Sequence, residues 1–388
     1  MKNPKIYLAI DNCFASKRWT TPLEWMGIIK DMGINYVEAN ADTECDPLYM
    51  GEEYIVDWVK SVKEASEKTG VKVCNIYSGH GTYATLGLAH TNSKVRQHFL
   101  NEWIKPMCDI AGELNAGLGF FCHAFSNSVL QNPALYEKYT ADLCDTFARI
   151  ADYAAEHNCV SVGVEQMYSP HQIPWTLEGT KKLLSDVNNN AQNPFYITID
   201  TGHQSGQHKF LRPSHGEIKD ALASHKTIWL GASETYNIFN HGAADEQTVY
   251  SIETNMNKYP YMFALEEDSD TYKWIELFGS FSPIIHLQQS DGYSSSHCPF
   301  TYEFNKSGLI KGEQVLKSIK KAYKNYKSVD YLIPCESIYL TLEIFSGTSE
   351  TTNSIINKIT ESVKYWRKFI PRDGMTLDEL EEITYKFV

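Results

Sequence analysis

Phe195-Tyr-Ile-Thr-Ile-Asp200-Thr-Gly-His203 is the stretch that decides the fold. It is a short, continuously apolar run that ends in a carboxylate, a tight turn and a histidine. A short apolar run with little alternation is typical of a strand that is covered on both faces, as in a parallel sheet. The chain contains similar runs along its whole length. The predicted strands are residues 5–13, 35–40, 71–77, 116–125, 160–166, 195–200, 283–288 and 331–336.

The segments between these runs have the residue spacing of amphipathic helices. The first of them begins after Thr21-Pro22, a favourable N-cap and first-turn pair, and ends at Gly33. Regular alternation of strands and helices, repeated eight times, is the pattern of a (β/α)₈ barrel. We therefore predict a single α/β TIM-barrel domain over residues 1–388.

One connection between strands is much longer than the others. The predicted strands six and seven start at residues 195 and 283, which is 88 residues apart, against 30 to 48 residues for the other pairs. We predict that residues 204–281 form an insertion after strand six, on the barrel face that carries active sites. Its mixed composition favours a lid or a contact surface of a homo-oligomer.

Composition excludes several classes of partner. The 388 residues include 35 Lys and Arg against 48 Asp and Glu, a net charge of −13, which argues against broad attraction to nucleic acid or anionic membranes. No apolar run approaches the ~18 residues of a membrane span, and the first residues do not have the pattern of a signal peptide. Nine cysteines without a C-x-x-C pair predict reduced thiols, so we expect a cytoplasmic protein. With nucleic acid and membranes disfavoured as partners, we expect the substrate to be a small molecule.

Side chains that commonly bind metals end several predicted strands. Because the carboxyl ends of barrel strands converge on one cavity, these side chains are expected to meet. One imidazole and three carboxylates suit a hard or borderline divalent ion, with Mn²⁺ favoured and Mg²⁺ or Co²⁺ as alternatives. Carboxylates at the apolar end of a strand would also be costly without a cation. The predicted metal ligands are Glu165, Asp200, His286 and Glu336.

Two cations follow the first predicted strand. Lys17 and Arg18 lie in the loop that leads from this strand to the first helix. At the mouth of an otherwise acidic barrel they are candidates to bind a substrate phosphate or carboxylate, although such loop charges are more often simply solvated.

The whole pattern resembles the xylose-isomerase-like TIM barrel superfamily, which includes ketose 3-epimerases, related sugar isomerases and the type IV abasic-site endonucleases. Its most specific part is Asp200-Thr-Gly-His203, which is similar to the D-x-x-H sequence on strand six of that superfamily. His80-Gly-Thr-Tyr83 and His123-Ala-Phe-Ser126 are also similar to superfamily sequences. The similarity runs from the first strand to the eighth, and the insertion is the main departure.

The resemblance implies a divalent-metal-dependent sugar isomerase or epimerase acting on a small ketose or sugar derivative. Glu165, Asp200, His286 and Glu336 would bind one ion. Glu165 and Glu336 would also act as acid and base on opposite faces of the substrate, and His203 would hydrogen-bond a substrate oxygen. The ion would stabilise the enediolate that forms when a proton leaves the carbon beside the ketose carbonyl. One carboxylate removes that proton and the other returns one.

The chain departs from the epimerases at one position that orients the substrate. The epimerases carry an Arg six residues beyond the histidine of strand seven, where this chain has Gly292. Gln288, Asp291 or His297 would then take over that contact. The predicted substrate-binding residues are His203, Gln288, His297, His80, His123, Lys17 and Arg18.

Three other functions fit parts of the pattern. A lyase acting on an oxidised sugar conjugate, such as a 3-oxo-glycoside, would use the same metal and carboxylates. A phosphodiester hydrolase of the abasic-site endonuclease type would bind several Zn²⁺ ions through extra ligands such as His80, His123 and His297. The acidic chain lacks the basic footprint that duplex DNA requires, which argues against this second function. A non-catalytic sugar-binding barrel would be expected to lose part of the ligand set.

Overall fold

The computed structural model describes residues 3–79, 86–326 and 332–384 of the chain. Its centre is a sheet in which eight parallel strands follow one another in chain order. β1 pairs with both β2 and β8, which closes the sheet into a barrel and confirms the predicted fold. The strands are β1 (Lys5–Asp11), β2 (Tyr36–Asn40), β3 (Lys72–Ser78), β4 (Gly117–Phe120), β5 (Val162–Glu165), β6 (Tyr196–Asp200), β7 (Ile284–Leu287), β8 (Ser337–Leu342) and the short β9 (Met375–Thr376), which adds antiparallel to β1.

Helices surround the barrel and connect its strands. The first helix begins where the sequence predicts, and the carboxylate of Glu24 accepts a hydrogen bond from the backbone N–H of Thr21. No helix within the described ranges has both the length and the hydropathy that crossing a membrane requires. The helices are α1 (Pro22–Asp31), α2 (Ala41–Glu44), α3 (Pro47–Met50), α4 (Glu52–Thr69), α5 (Ser93–Phe99), α6 (Lys105–Glu113), α7 (Asn127–Leu130), α8 (Pro133–Glu156), α9 (Leu177–Asn190), α10 (Gln204–Gln207), α11 (His215–Ser224), α12 (Ser233–His241), α13 (Glu246–Met256), α14 (Thr271–Phe278), α15 (Tyr302–Ser307), α16 (Gly312–Asn325), α17 (Thr352–Trp366) and α18 (Leu377–Thr384).

Aromatic side chains hold the helices against the outside of the barrel. Phe147 of α8 stacks on Phe195, with ring centroids 4.9 Å apart, and meets Phe120 of β4 edge-on. Trp25 of α1 and Trp366 of α17 are fully buried in the same layer. Burial of each such side chain stabilises the fold by roughly 1.5–3 kcal/mol, so this layer gives the strand ends a rigid support.

The eighth strand lies further along the chain than predicted. Two apolar runs follow each other here, and the sequence pattern assigned the strand to the first, residues 331–336. Pro334 lies in that run and has no backbone N–H to donate to a neighbouring strand. The second run is β8, which pairs with β1 from Ser337 beside Lys5 onwards. The predicted position of strand eight is therefore wrong by about one strand length.

The connection from β6 to β7 contains five helices, α10 to α14. The last of them, α14, packs on α16 and contacts β6, as a helix of the barrel does. The part that extends beyond the usual barrel therefore consists mainly of α11, α12 and α13, of which α13 packs on both of the others. Its role as a lid or as a subunit contact stays a prediction.

Candidate active site

Four side chains that commonly bind metals converge at the carboxyl end of the barrel. Glu165 ends β5, Asp200 ends β6, His286 lies in β7, and Glu343 directly follows β8. One ligand atom of each residue lies within 4.8 Å of those of the other three, and all four side chains are buried. They meet because the parallel strands of a barrel end at one rim. Three members of this four-residue cluster are residues that the sequence pattern singled out.

Glu336, the fourth predicted ligand and the second predicted acid/base carboxylate, lies at the opposite end of the barrel. It precedes the first residue of β8, its carbonyl accepts from the backbone N–H of Lys5, and the residue is exposed. The prediction for Glu336 is wrong because β8 begins at Ser337, directly after the residue at which the predicted eighth strand ends. Glu343 occupies the expected place, and its backbone N–H donates to the carbonyl of Leu287 in β7. The available signal was the alternation of residues 337–342, followed at once by a carboxylate.

The four-residue cluster fits a divalent cation. Oδ2 of Asp200 and Oε2 of Glu343 are buried and have no hydrogen-bond partner among the described residues. Two imidazoles lie near Oε2: Nδ1 of His286 and Nδ1 of His297 are each 3.4 Å away, without hydrogen-bond geometry. A buried carboxylate oxygen without a partner is costly, and a bound ion would pair with both oxygens. Three carboxylates and an imidazole suit Mn²⁺, Mg²⁺ or Co²⁺, so the cluster could hold one such ion.

The charges in the cluster are unbalanced. Burial raises the pKa of Glu343, although His286 and His297 beside it act in the opposite direction. Burial also acts to raise the pKa of Asp200, yet His203 and His297 lower it to about 2. For His286, burial acts to lower the pKa, but the neighbouring carboxylates raise it well above its usual value. Several buried carboxylates thus share few cationic neighbours. A divalent ion would lower the electrostatic cost of burying these negative charges together.

Asp200-Thr-Gly-His203 forms a tight turn at the end of β6. Oδ1 of Asp200 accepts hydrogen bonds from the backbone N–H groups of Gly202, at 2.7 Å, and His203, at 3.0 Å. One carboxylate oxygen therefore orders the turn, while the other has no partner. Nδ1 of His203 lies 2.7 Å from the carbonyl oxygen of Gln166, and since a carbonyl only accepts, this nitrogen carries a proton. The structure places His203 at the rim beside the cluster, and its contact with substrate stays a prediction.

Gln288, directly after β7, connects Asp200 to the following loop. Its Nε2 donates to Oδ1 of Asp200 at 2.8 Å, and its Oε1 accepts from the backbone N–H of His297 at 2.7 Å. His297 stacks on Phe345, with ring centroids 3.8 Å apart, and its Nδ1 lies 3.4 Å from Oε2 of Glu343. Burial acts to lower the pKa of His297, but Glu343 and Asp200 raise it to about 9. Gln288 and His297, both predicted to bind substrate, thus lie against the cluster.

Gly202 makes room for Gln288, and a substitution tests this arrangement. A Cβ atom at residue 202 would lie 2.3 Å from Cδ of Gln288. We expect Gly202→Ala to displace Gln288 and to lower the free energy of unfolding by about 1–3 kcal/mol, measured by urea denaturation. Gly216→Ala is the matched control, because a Cβ there meets nothing within 4 Å and alanine is favoured in helix α11. A Gly202→Ala protein as stable as the unmodified protein would contradict this account.

Glu165 is held from two sides. Its Oε1 lies 2.9 Å from Nδ1 of His286, and its Oε2 accepts a hydrogen bond from the hydroxyl of Tyr77 in β3. The ring of Tyr77 stands edge-on to His286, with centroids 4.8 Å apart. No sequence signal singled out Tyr77, because a strand tyrosine usually serves packing and its partner here is 88 residues away. Glu38 of β2 contacts the other side of His286.

Of the two remaining predicted histidines, His123 is described by the structure and is not part of the cluster. His123 is fully buried between Phe121 and Phe147, and its Nε2 pairs with the carbonyl oxygen of Ile173. Burial lowers the pKa of His123 to about 4, so the ring is neutral near pH 7. These are the contacts of a packed core histidine. His80 lies outside the described residues.

Lys17 and Arg18 connect two loops at the mouth of the barrel. Nη2 of Arg18 donates to the carbonyl oxygens of Gly347, at 3.1 Å, and Glu350, at 2.7 Å. Nζ of Lys17 lies 3.4 Å from Oγ1 of Thr348. The loop after β1 is thereby tied to the loop after β8. An anionic substrate group would have to share these cations with the second loop.

Fold and site together define a TIM barrel with a candidate metal centre at the carboxyl ends of its strands. The chain belongs to the xylose isomerase-like TIM barrel family, because the model of that family matches residues 27–247. It is similar to D-erythrulose 1-phosphate 3-epimerase of Brucella abortus (strain 2308), with 24% identity over 314 residues, 80% of this chain and 79% of that protein. The resemblance seen in the sequence is thus confirmed at the level of the family.

Solved structures support the same fold. One comes from Rhodospirillum rubrum ATCC 11170 and is provisionally named a xylose isomerase. It is 17% identical to this chain, with a TM-score of 0.66, and the match covers 93% of this chain and 98% of the other. Another is D-psicose 3-epimerase with D-tagatose from Clostridium cellulolyticum H10. It is 11% identical to this chain, with a TM-score of 0.51, and the match covers 99% of this chain and 97% of the other. At these identities the similarity concerns the barrel fold.

Proposed function

We propose that this protein is a divalent-metal-dependent ketose 3-epimerase. The observation that carries the proposal is the four-residue cluster at the rim of the barrel, with two buried carboxylate oxygens that lack a partner among the described residues. The choice of epimerase over aldose–ketose isomerase is supported by the relative matched over 80% of this chain, which is a 3-epimerase. Mn²⁺ is the ion that we expect, with Mg²⁺ and Co²⁺ as alternatives.

Two carboxylates of the cluster can carry out the proton transfers. A divalent ion bound there would stabilise negative charge on the carbonyl and hydroxyl oxygens of a ketose whose C3 loses its proton. One of Glu165 and Glu343 removes that proton, and the other delivers a proton to the opposite face of C3, so that no atom or electron is gained or lost overall. Tyr77 and His286 hold Glu165, and His297 lies beside Glu343, which keeps both bases in position.

The proposed substrate is a small ketose, either free or phosphorylated at C1. The matched relative acts on D-erythrulose 1-phosphate by its name. The chain has Gly292 where the epimerases carry their substrate-orienting Arg. Gln288 contacts Asp200 and His297 lies beside Glu343, so we infer that these two side chains orient the sugar instead. We expect a C1 phosphate to contact Lys17 and Arg18, which lie in the loop after β1 and hydrogen-bond to the loop after β8.

The test combines metal content with hydrogen exchange at carbon. Protein purified without chelators should contain one Mn, Co or Mg ion per chain by elemental analysis. In deuterated water, one member of a panel of short-chain ketoses and ketose 1-phosphates should exchange its C3 hydrogen while the 3-epimer forms, as followed by NMR.

Other outcomes of the same experiment would point elsewhere. Formation of an aldose would indicate an isomerase, and cleavage of a 3-oxo-glycoside would indicate the lyase. Several Zn²⁺ ions per chain without exchange would favour a phosphodiester hydrolase. No metal, and none regained when ions are added back, would overturn the proposal.

Quaternary structure and location stay predictions from the sequence. We expect a homo-oligomer in the cytoplasm, with the additional helices α11 to α13 as one contact surface. Light scattering on the purified protein measures the number of subunits directly.

A further inference from the structure

We propose that Glu38 is a positioning residue for His286, an inference that rests on the metal site proposed above. Glu38 lies in β2 with its side chain fully buried, and its Oε1 is 2.6 Å from Nε2 of His286. The other ring nitrogen, Nδ1, lies 2.9 Å from Oε1 of Glu165 and 3.4 Å from Oε2 of Glu343. Each nitrogen of His286 therefore has its own side: Nε2 faces Glu38, and Nδ1 faces the cluster.

This division of the ring suits a metal ligand. An imidazole binds an ion through an unprotonated nitrogen, and a carboxylate on the far side of the ring holds the remaining proton in place. Glu38 accepts the Nε2–H of His286, so that Nδ1 is the nitrogen left to bind the ion. The negative charge of Glu38 also makes Nδ1 a stronger donor, and the hydrogen bond fixes the rotation of the ring.

Glu38 is itself supported by the two following strands. Its Oε2 accepts a hydrogen bond from Nδ2 of Asn75 in β3 at 2.6 Å. Glu38, Asn75 and Gly117 are successive register partners across β2, β3 and β4. A Cβ at Gly117 would lie 2.6 Å from Oδ1 of Asn75, and one at Gly119 would lie 3.2 Å from Nδ2. The glycines of β4 thus leave the space that Asn75 needs in order to hold Glu38.

A purely structural role explains this arrangement less well. Burying an ionised carboxylate in a barrel interior is costly unless it is paired. Within residues 3–79, 86–326 and 332–384, the ion-pair partner found for Glu38 is His286 alone. The carboxylate, its support from Asn75 and the space beside β4 all serve the orientation of one imidazole.

Glu38→Gln tests the inference, because glutamine keeps the size and an acceptor oxygen but removes the charge. We expect the affinity of the metal-free protein for Mn²⁺, measured by isothermal titration calorimetry, to fall about 10–100-fold, with the stoichiometry unchanged. Glu44→Gln is the matched control. Glu44 is also buried and accepts from the indole N–H groups of Trp25 and Trp58, outside the cluster, so its replacement should leave Mn²⁺ affinity unchanged.

NMR of protein labelled with ¹⁵N at histidine gives a second readout, which a merely structural role would not change. In protein loaded with Zn²⁺, which is diamagnetic, the Nε2 proton of His286 should resonate far downfield because it is donated to a carboxylate. Glu38→Gln should move this resonance upfield, and Glu44→Gln should not. If Glu38→Gln does not fold, Asn75→Ala replaces it, and a several-fold loss of Mn²⁺ affinity is expected.

The outcomes separate the two proposals. If the unmodified protein binds Mn²⁺ and the Glu38→Gln protein, or Asn75→Ala in its place, binds it equally well, the positioning role is overturned while the proposed function stands. If the unmodified protein itself takes up no ion, both proposals are overturned.

Discussion

Replacement of Glu343 by glutamine should reduce turnover by about 10²–10⁴-fold, whereas the same replacement of Glu336 should leave it unchanged. The two glutamates lie at opposite ends of β8: Glu343 belongs to the buried four-residue cluster, and Glu336 is exposed ahead of the strand. Glutamine keeps the size of the side chain, but it neither takes up a proton as a carboxylate does nor pairs with a cation by charge. The measurement is kcat at saturating Mn²⁺, with the substrate that the exchange assay identifies.

Stability separates a chemical effect of this replacement from unfolding. Burial raises the pKa of Glu343, so a neutral amide at this position removes a charge that the interior disfavours. The midpoint of thermal unfolding of the metal-free Glu343→Gln protein should therefore be unchanged or higher. An inactive Glu336→Gln protein beside an active Glu343→Gln protein would contradict the assignment of the fourth ligand.

Mn²⁺ should stabilise the protein by about 2.7 kcal/mol at a free concentration one hundred times its Kd, and EDTA should remove this gain. The ion would pair with carboxylates that otherwise repel one another in the barrel interior. Asp200→Asn should abolish most of the gain. Asparagine keeps an oxygen for the backbone N–H groups of Gly202 and His203 but lacks the charge at the partnerless Oδ2. Urea unfolding at increasing Mn²⁺ concentration measures the effect.

Asp291→Asn is the control for this experiment. Asp291 is exposed, and its Oδ1 accepts a hydrogen bond from the backbone N–H of Tyr293 within its own loop. This variant should gain the same stability from Mn²⁺ as the unmodified protein. An equal gain in the Asp200→Asn protein would show that the ion binds elsewhere.

The barrel could be predicted because its signals are local. The predicted strand at 195–200 matches β6, and α1 begins after Thr21-Pro22, since an apolar run and an N-cap depend on neighbouring residues only. Strand eight could not be located in the same way. Residues 331–336 and 337–342 are both apolar enough, and the choice between them depends on pairing with β1, more than 300 residues away in the chain.

The same difference between local signals and long-range contacts applies to the candidate site. Asp200 and Glu165 could be recognised because each ends a predicted strand, and the ends of barrel strands converge. Tyr77 and Glu38 could not be recognised as their supports, because the contacts of Tyr77 with Glu165 and of Glu38 with His286 span 88 and 248 residues. Residue type alone does not reveal such pairs.

The sequence by itself therefore determined the class of fold, the rim at which the site lies and the turn that Asp200 begins. Only the tertiary structure decided that Glu343 completes the cluster and which ring nitrogen of His286 faces it. The physical reason is that hydrophobic periodicity reports whether the faces of a strand are buried. The register between strands, and the side chains that this register brings together, depend on contacts between residues that are distant in the chain.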